Sequence, residues 1–413
     1  MLERFCREPY RVFFPLGIMI GLYGVGHWLF YGLGWIKNYS GLMHAFIQMQ
    51  GYLGCFIIGF LLTAMPRLAS APTATKRELF SFLVLTLGIP VFLSYRLWPL
   101  ADLFFILWLL SIACFAVKRI LVKRETKVSP PTEFVWIPIG ILNGVIGSSL
   151  LALGHLALLP AWALSVGKPM VFQGFLFSIV LGVGGFLGPR LMGVQQLIQP
   201  ENIRKEEPCV PGMVAMVRKR RIQVHLTAGI LLFLSFWFEG LGAPVLAYGL
   251  RAIIVSGIFL FTGALPLVPR VRHAFTWLLW LSFWMVALGS WVEFLFPSHR
   301  VIALHLVFLG GFSLMTFAVG TVVVLSHAGE VQRLYKPLPI LWFVASCVLG
   351  ALGLRISADF FPAKYFNLLA LAAVIWMTGA LSWLLFILPR IFRTPGDWTF
   401  EREHQKSKGS GHF

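Results

Sequence analysis

Apolar stretches of about twenty residues recur along this chain with almost no charge inside them, and nothing else restricts its fold as strongly. A helix of about 20 apolar residues covers the roughly 30 Å hydrocarbon core of a bilayer. Such runs lie at residues 12–34, 44–65, 79–96, 98–117, 134–156, 171–194, 223–239, 243–266, 273–296, 300–326, 338–356 and 365–389. A backbone in hydrocarbon must satisfy its own N–H and C=O groups, so each run is expected as a helix. The expected fold is therefore an all-α polytopic membrane protein of about 12 transmembrane helices. It is expected to form one membrane domain over residues 1–394, followed by a disordered cytoplasmic tail over 395–413. Composition points the same way: 58% of the 413 residues are hydrophobic and 12% are charged, far from a water-soluble balance.

The formal charge of +18 would suit a nucleic-acid partner, but the positions of the basic residues exclude that reading. They lie in short loops between the apolar runs, where they act as orientation signals. With twelve spans, 27 of the 34 lysines and arginines fall on the side that carries both termini. Both termini are accordingly expected in the cytoplasm. The opening "MLERFCREPYRVFF" has no cleavage region, so the first span is expected to stay in the membrane. Five cysteines (Cys6, Cys55, Cys114, Cys209, Cys347) occur without any C-x-x-C, which leaves no disulfide framework and no covalent c-type haem site.

An internal repeat runs through the spans. "QGYLGCFIIGFLLTAMPR" (50–67) and "QGFLFSIVLGVGGFLGPR" (173–190) align without a gap, 123 residues or four spans apart. Span 10 follows after four more, with "LGGF" early in its helix. His305 near its start corresponds to His44 near the start of span 2, and the same point in span 6 carries Lys168. The three spans run in one direction, which predicts three parallel four-helix repeats. Pro-Arg closes spans 2, 6, 8 and 12, where proline is expected to stop the helix and arginine to face its C-terminal carbonyls.

Topology sorts the histidines by depth. His27, His44, His155, His299 and His305 lie toward the outer face; His225, His273 and His327 lie toward the cytoplasm. Ionisable groups at membrane depth are costly and default to functional candidates, and neutral imidazole is the common ligand of haem iron and copper. His299 and His273 fit an interfacial role, while His27 and His155 remain undecided between the two. His44 and His305, on two related helices at one depth, are candidates to clamp a haem from both axial sides. His225 and His327 share the inner layer and form a second candidate metal pair, which Cys209, Met213 or Met216 would have to complete. Outer arginines Arg251, Arg300 and Arg355 are candidates to neutralise haem propionates. None of the sixteen carboxylates is mid-membrane, which counts against a proton-coupled carrier.

Together, "CREPYRVFFPLG" (6–17), "HAFIQMQGYLGCFIIGFLLTAMPR" (44–67), "QGFLFSIVLGVGGFLGPRLMG" (173–193), "IQVHLTAGILLFLSFWFE" (222–239) and "HLVFLGGFSLMTFAVGTVVVLSHAGE" (305–330) resemble the NnrS family over essentially the whole chain. That resemblance implies a multi-pass protein of the bacterial inner (cytoplasmic) membrane that contains haem, here expected as haem b, and copper. It implies a role in nitric oxide tolerance, with nitric oxide as ligand or substrate and an electron donor that the sequence does not identify. The family's histidine positions fall on His44, His225, His305 and His327. Two features depart from the family pattern. Where many members read H-A-H-E-M, this chain has His44-Ala45-Phe46-Ile47-Gln48-Met49, without the second histidine and the glutamate. Where many carry arginine in T-R-V-x-L-x-H, it has Thr321-Val322-Val323-Val324-Leu325-Ser326-His327. The competing functions are a secondary transporter or metal-handling carrier, and a haem electron conduit or assembly factor.

Overall fold

A computed structural model describes residues 1–120, 130–194, 211–265 and 267–393, the side chains of 211–214 excepted. The described chain is 85% helical without strands. Twelve helices are long and apolar enough to cross a membrane: Tyr10–Gly32, Gly41–Leu68, Lys76–Ser94, Trp98–Ile120, Thr132–His155, Trp162–Leu191, Ala215–Gly240, Pro244–Thr262, Ala274–Leu295, Pro297–His327, Pro339–Phe360 and Pro362–Phe392. These are spans 1 to 12 below. The expected disordered tail lies outside the described residues.

Local chemistry sets several helix starts. Ser40 Oγ accepts from the Met43 amide at 3.1 Å and caps span 2. Thr75 and Glu78 cap each other's backbone at the start of span 3. Pro244 opens span 8, and Gly263, at φ +77°, closes it in the left-handed conformation that glycine adopts without strain. The Pro-Arg motifs behave differently from expectation. Pro66, Pro189 and Pro389 lie inside the last turn, and spans 2, 6 and 12 continue two or three residues beyond them. Proline deletes a single amide donor, and in spans 6 and 12 the arginine beside it folds back onto a carbonyl of that turn, while Arg67 of span 2 pairs with Glu8. Arg190 Nη1 donates to Phe186 O at 2.7 Å, and Arg390 makes the same bond to Phe386 O. Pro269 of the fourth motif lies beyond the end of span 8.

Spans 2, 6 and 10 form the centre. Their apolar windows are 83%, 83% and 72% buried, against 28–56% for the other nine, which carry the leucines that face lipid. Glycines let each central span approach the span before it. A Cβ on Gly51 would stand 2.6 Å from Ile20 of span 1, on Gly174 2.7 Å from Asn143 of span 5, and on Gly311 2.4 Å from Val286 of span 9. Between these groups, span 4 packs on span 5, span 8 on span 9 and span 12 on span 1, so the outer spans close around the centre.

The three central spans also share an interruption. Each begins α-helical and then widens into π-helix: Ile47–Leu53 in span 2, Met170–Phe175 in span 6 and Leu306–Ser313 in span 10. The widening begins one to three residues after His44, Lys168 and His305, respectively. π-Helical turns are rare and concentrate at functional sites, because the extra residue displaces side chains from the α-helical register.

Candidate functional site

The widened segments surround a cavity of about 980 Å³ toward the N-terminal ends of the central spans. Its middle is apolar, with Phe46, Met49, Phe172, Phe308, Leu369 and Trp376 on the wall. Charged and polar groups, among them Lys168, Arg300, Arg355, Glu239 and Gln173, line the remainder. His44 and His305 both face this cavity.

Hydrogen bonding fixes what these two imidazoles can offer. His44 Nδ1 lies 3.0 Å from Gly24 O, and His305 Nδ1 lies 2.7 Å from Val301 O, one turn earlier in its own helix. A carbonyl can only accept, so Nδ1 carries the proton in each ring and Nε2 is left with a bare lone pair. Metal-ligating histidines are held in this way, the second nitrogen fixing tautomer and ring orientation. His27 Nδ1 donates to the same Gly24 carbonyl at 2.9 Å, and its ring lies 5.8 Å from that of His44, outside the cavity lining.

His155 is a third imidazole on the wall. Its Nδ1 lies 3.0 Å from Oδ2 of buried Asp102, and Trp98 flanks its ring at 5.8 Å. Sequence position left His155 undecided, because Asp102 is 53 residues away and belongs to the neighbouring span.

The candidate arginines divide into two layers. Arg300 and Arg355 line the cavity, whereas Arg251 is fully enclosed one layer behind it. From there Arg251 donates to Gln173 Oε1 at 2.7 Å and to Ser235 Oγ at 3.0 Å, pairs with Glu239 and covers the Phe236 ring at 4.1 Å. Gln173 in turn donates to Glu293 Oε2 at 2.8 Å, and Arg300 bridges Glu239 at 2.7 Å and Glu293 at 2.9 Å. Arg251 thus braces wall residues instead of reaching the cavity. Arg355 pairs with Asp359 at 2.7 Å.

The inner-layer pair is placed otherwise. His225 is fully buried and its Nδ1 accepts from Trp136 Nε1 at 3.0 Å, with Phe261 against the ring at 5.4 Å. An Nδ1 that accepts leaves the proton on Nε2, a tautomer with no lone pair for a metal. His327 packs against Tyr10 at 5.1 Å and donates from Nδ1 to Val323 O at 2.7 Å. The rings beside His225 belong to spans 5 and 8, whereas Tyr10 beside His327 belongs to span 1. Among the described residues no three His, Cys, Asp or Glu side chains gather as a metal ion requires, and these residues do not fit a copper site. Met216 is exposed; Cys209 and the Met213 side chain lie outside the described residues.

The fold and cavity define a polytopic membrane protein with a large pocket, lined by two histidine-bearing helices among its three central spans. The family model described as NnrS protein matches residues 4–394, nearly the whole length, and the chain belongs to the NnrS family. No curated protein matches it.

The donor set fits a haem. Two imidazoles whose Nδ1 atoms are held by carbonyls line one largely apolar space, and cationic side chains share its wall, as a flat apolar macrocycle with carboxylates at one edge demands. His44 and His305 would hold the iron, and Lys168, Arg300 and Arg355 would face the carboxylates.

Proposed function

We propose that this chain is a haem-holding protein of the bacterial inner membrane that serves the nitric oxide response by admitting nitric oxide to the outer cavity. Membership of the NnrS family supports the link to nitric oxide. One observation carries the rest: His44 and His305 line one cavity, each with Nδ1 committed to a backbone carbonyl and Nε2 left as the nitrogen with a lone pair. A b-type haem there would supply a redox-active iron able to bind nitric oxide and pass electrons. This chain's residues orient both ligands through Gly24 and Val301, keep bulk water from the apolar wall, and balance charge around the pocket. Nitric oxide is small and uncharged, so an apolar chamber within the membrane admits it without a polar path. Binding of nitric oxide would require that only one of His44 and His305 hold the iron. A haem that kept both would pass electrons only, which is the second reading this donor set supports.

An absorption spectrum of the detergent-purified protein tests the proposal. A low-spin Soret band that shifts when nitric oxide is added to the reduced protein is the expected result. His44→Ala and His305→Ala should each abolish the low-spin signal while the protein still inserts in the membrane. An unchanged spectrum in either variant refutes the pairing. A band that ignores nitric oxide leaves the electron-passing reading, and a protein purified without a chromophore from haem-replete cells refutes both.

A further inference from the structure

Lys168 lies in the last α-helical turn of span 6 before the π-helical widening, the turn that carries His44 in span 2 and His305 in span 10, one residue beyond the position aligned with His44. Its side chain is exposed on the cavity wall. The other cations of this region have acid partners: Arg300 has Glu239 and Glu293, Arg251 has Glu239, and Arg355 has Asp359. Those three arginines meet three carboxylates, so their charges balance. Lys168 makes no ion pair or hydrogen bond among the described residues; Glu239, which already pairs with two arginines, and Arg300 act on it only at longer range, so its ammonium has no direct partner within a membrane-spanning segment.

An ammonium ion beside an apolar chamber is costly unless an anion or water compensates it. The side chain also has the reach and the freely turning donors to meet a carboxylate that arrives with a ligand. We propose that Lys168 is the anion anchor of the cavity, binding a carboxylate of the porphyrin. The repeat then has a division of labour: two copies supply the ligands to iron, and the third supplies the counter-charge. This inference rests on the haem reading above, and its test separates the two.

The full chain, purified in detergent from cells starved of haem, is titrated with iron protoporphyrin IX and with its dimethyl ester, which lacks the free carboxylates. Binding is followed by the Soret band for the wild-type, Lys168→Met and Lys168→Arg proteins. A charge-assisted hydrogen bond contributes about 1.5–3 kcal/mol, so Lys168→Met should weaken the free-acid haem by about 10-fold to 100-fold. It should leave binding of the ester unchanged, and Lys168→Arg should retain most of the wild-type preference for the acid. If Lys168→Met does not accumulate, Lys168→Gln carries the same comparison. Equal weakening of acid and ester would make Lys168 a structural residue only, and no weakening of either would make it a solvated charge; both results overturn the inference and leave the haem reading standing. Failure of the wild-type chain to bind either compound overturns both.

Discussion

At the scale of single residues, the site depends on how side chains behind the cavity hold those on its wall. Gly24 illustrates this, since its carbonyl accepts from both His27 and His44 while its missing side chain leaves room for span 2. A Cβ there would stand 2.6 Å from both Ile47 Cγ2 and Gln48 Nε2. Gly24→Ala should therefore destabilise the protein by about 1–3 kcal/mol, as overpacking does, and tilt the His44 ring. Thermal unfolding in detergent together with the low-spin Soret intensity reads both effects; an unchanged melting temperature would show that the two spans slide apart freely. Arg251 makes a second case. Removing its charge takes one partner each from Glu239 and Gln173, and breaking a buried pair costs about 3–5 kcal/mol. Arg251→Met should melt well below the wild type. Glu239→Gln in the same chain should recover part of the loss, unless Arg300 already satisfies Glu239 alone.

At the scale of elements, the π-helical segments decide where the three repeated side chains point. An α-helix advances about 100° per residue, so one residue removed from Leu306–Ser313 rotates the outer turn of span 10 by that much against its inner half. Deleting Leu309 should turn His305 away from the cavity. It should abolish the low-spin spectrum as completely as His305→Ala, while the inner half of the span keeps its packing. A spectrum that survives the deletion would mean that the widening is incidental to ligand placement. The sequence hints at these segments only through glycines, as in "QGYLG", "QGFLF" and "LGGF". Glycine permits a close approach between helices but does not specify an extra residue per turn; that follows from the fit of the central span against its neighbours.

At the scale of the whole molecule, the even number of spans returns the chain to the side on which it began, and the basic loops predict that side to be the cytoplasm. A reporter that fluoresces only in the cytoplasm, fused after Phe413, should be bright, and alkaline phosphatase at the same point should be inactive. The reverse pattern would invert the molecule and turn the cavity inward. Much of the fold was legible in the chain because a bilayer imposes length, apolarity and internal backbone pairing on each span separately, and these are local properties. The twelve spans, the offset of four spans between repeats, and the shared depth of His44 and His305 all follow from such one-dimensional information. Which helices are central does not, since spans 2, 6 and 10 are no more apolar than several spans of the outer ring. Depth likewise put His225 beside His327 on paper, but depth fixes one coordinate and leaves the position around the bundle open. Packing set that position, against Trp136 and Phe261 for one histidine and Tyr10 for the other. The pairing of His155 with Asp102, the retreat of Arg251 behind the wall and the unpaired charge of Lys168 belong to the same class. Each depends on contacts between residues far apart in the chain, and only the tertiary structure brings those residues together.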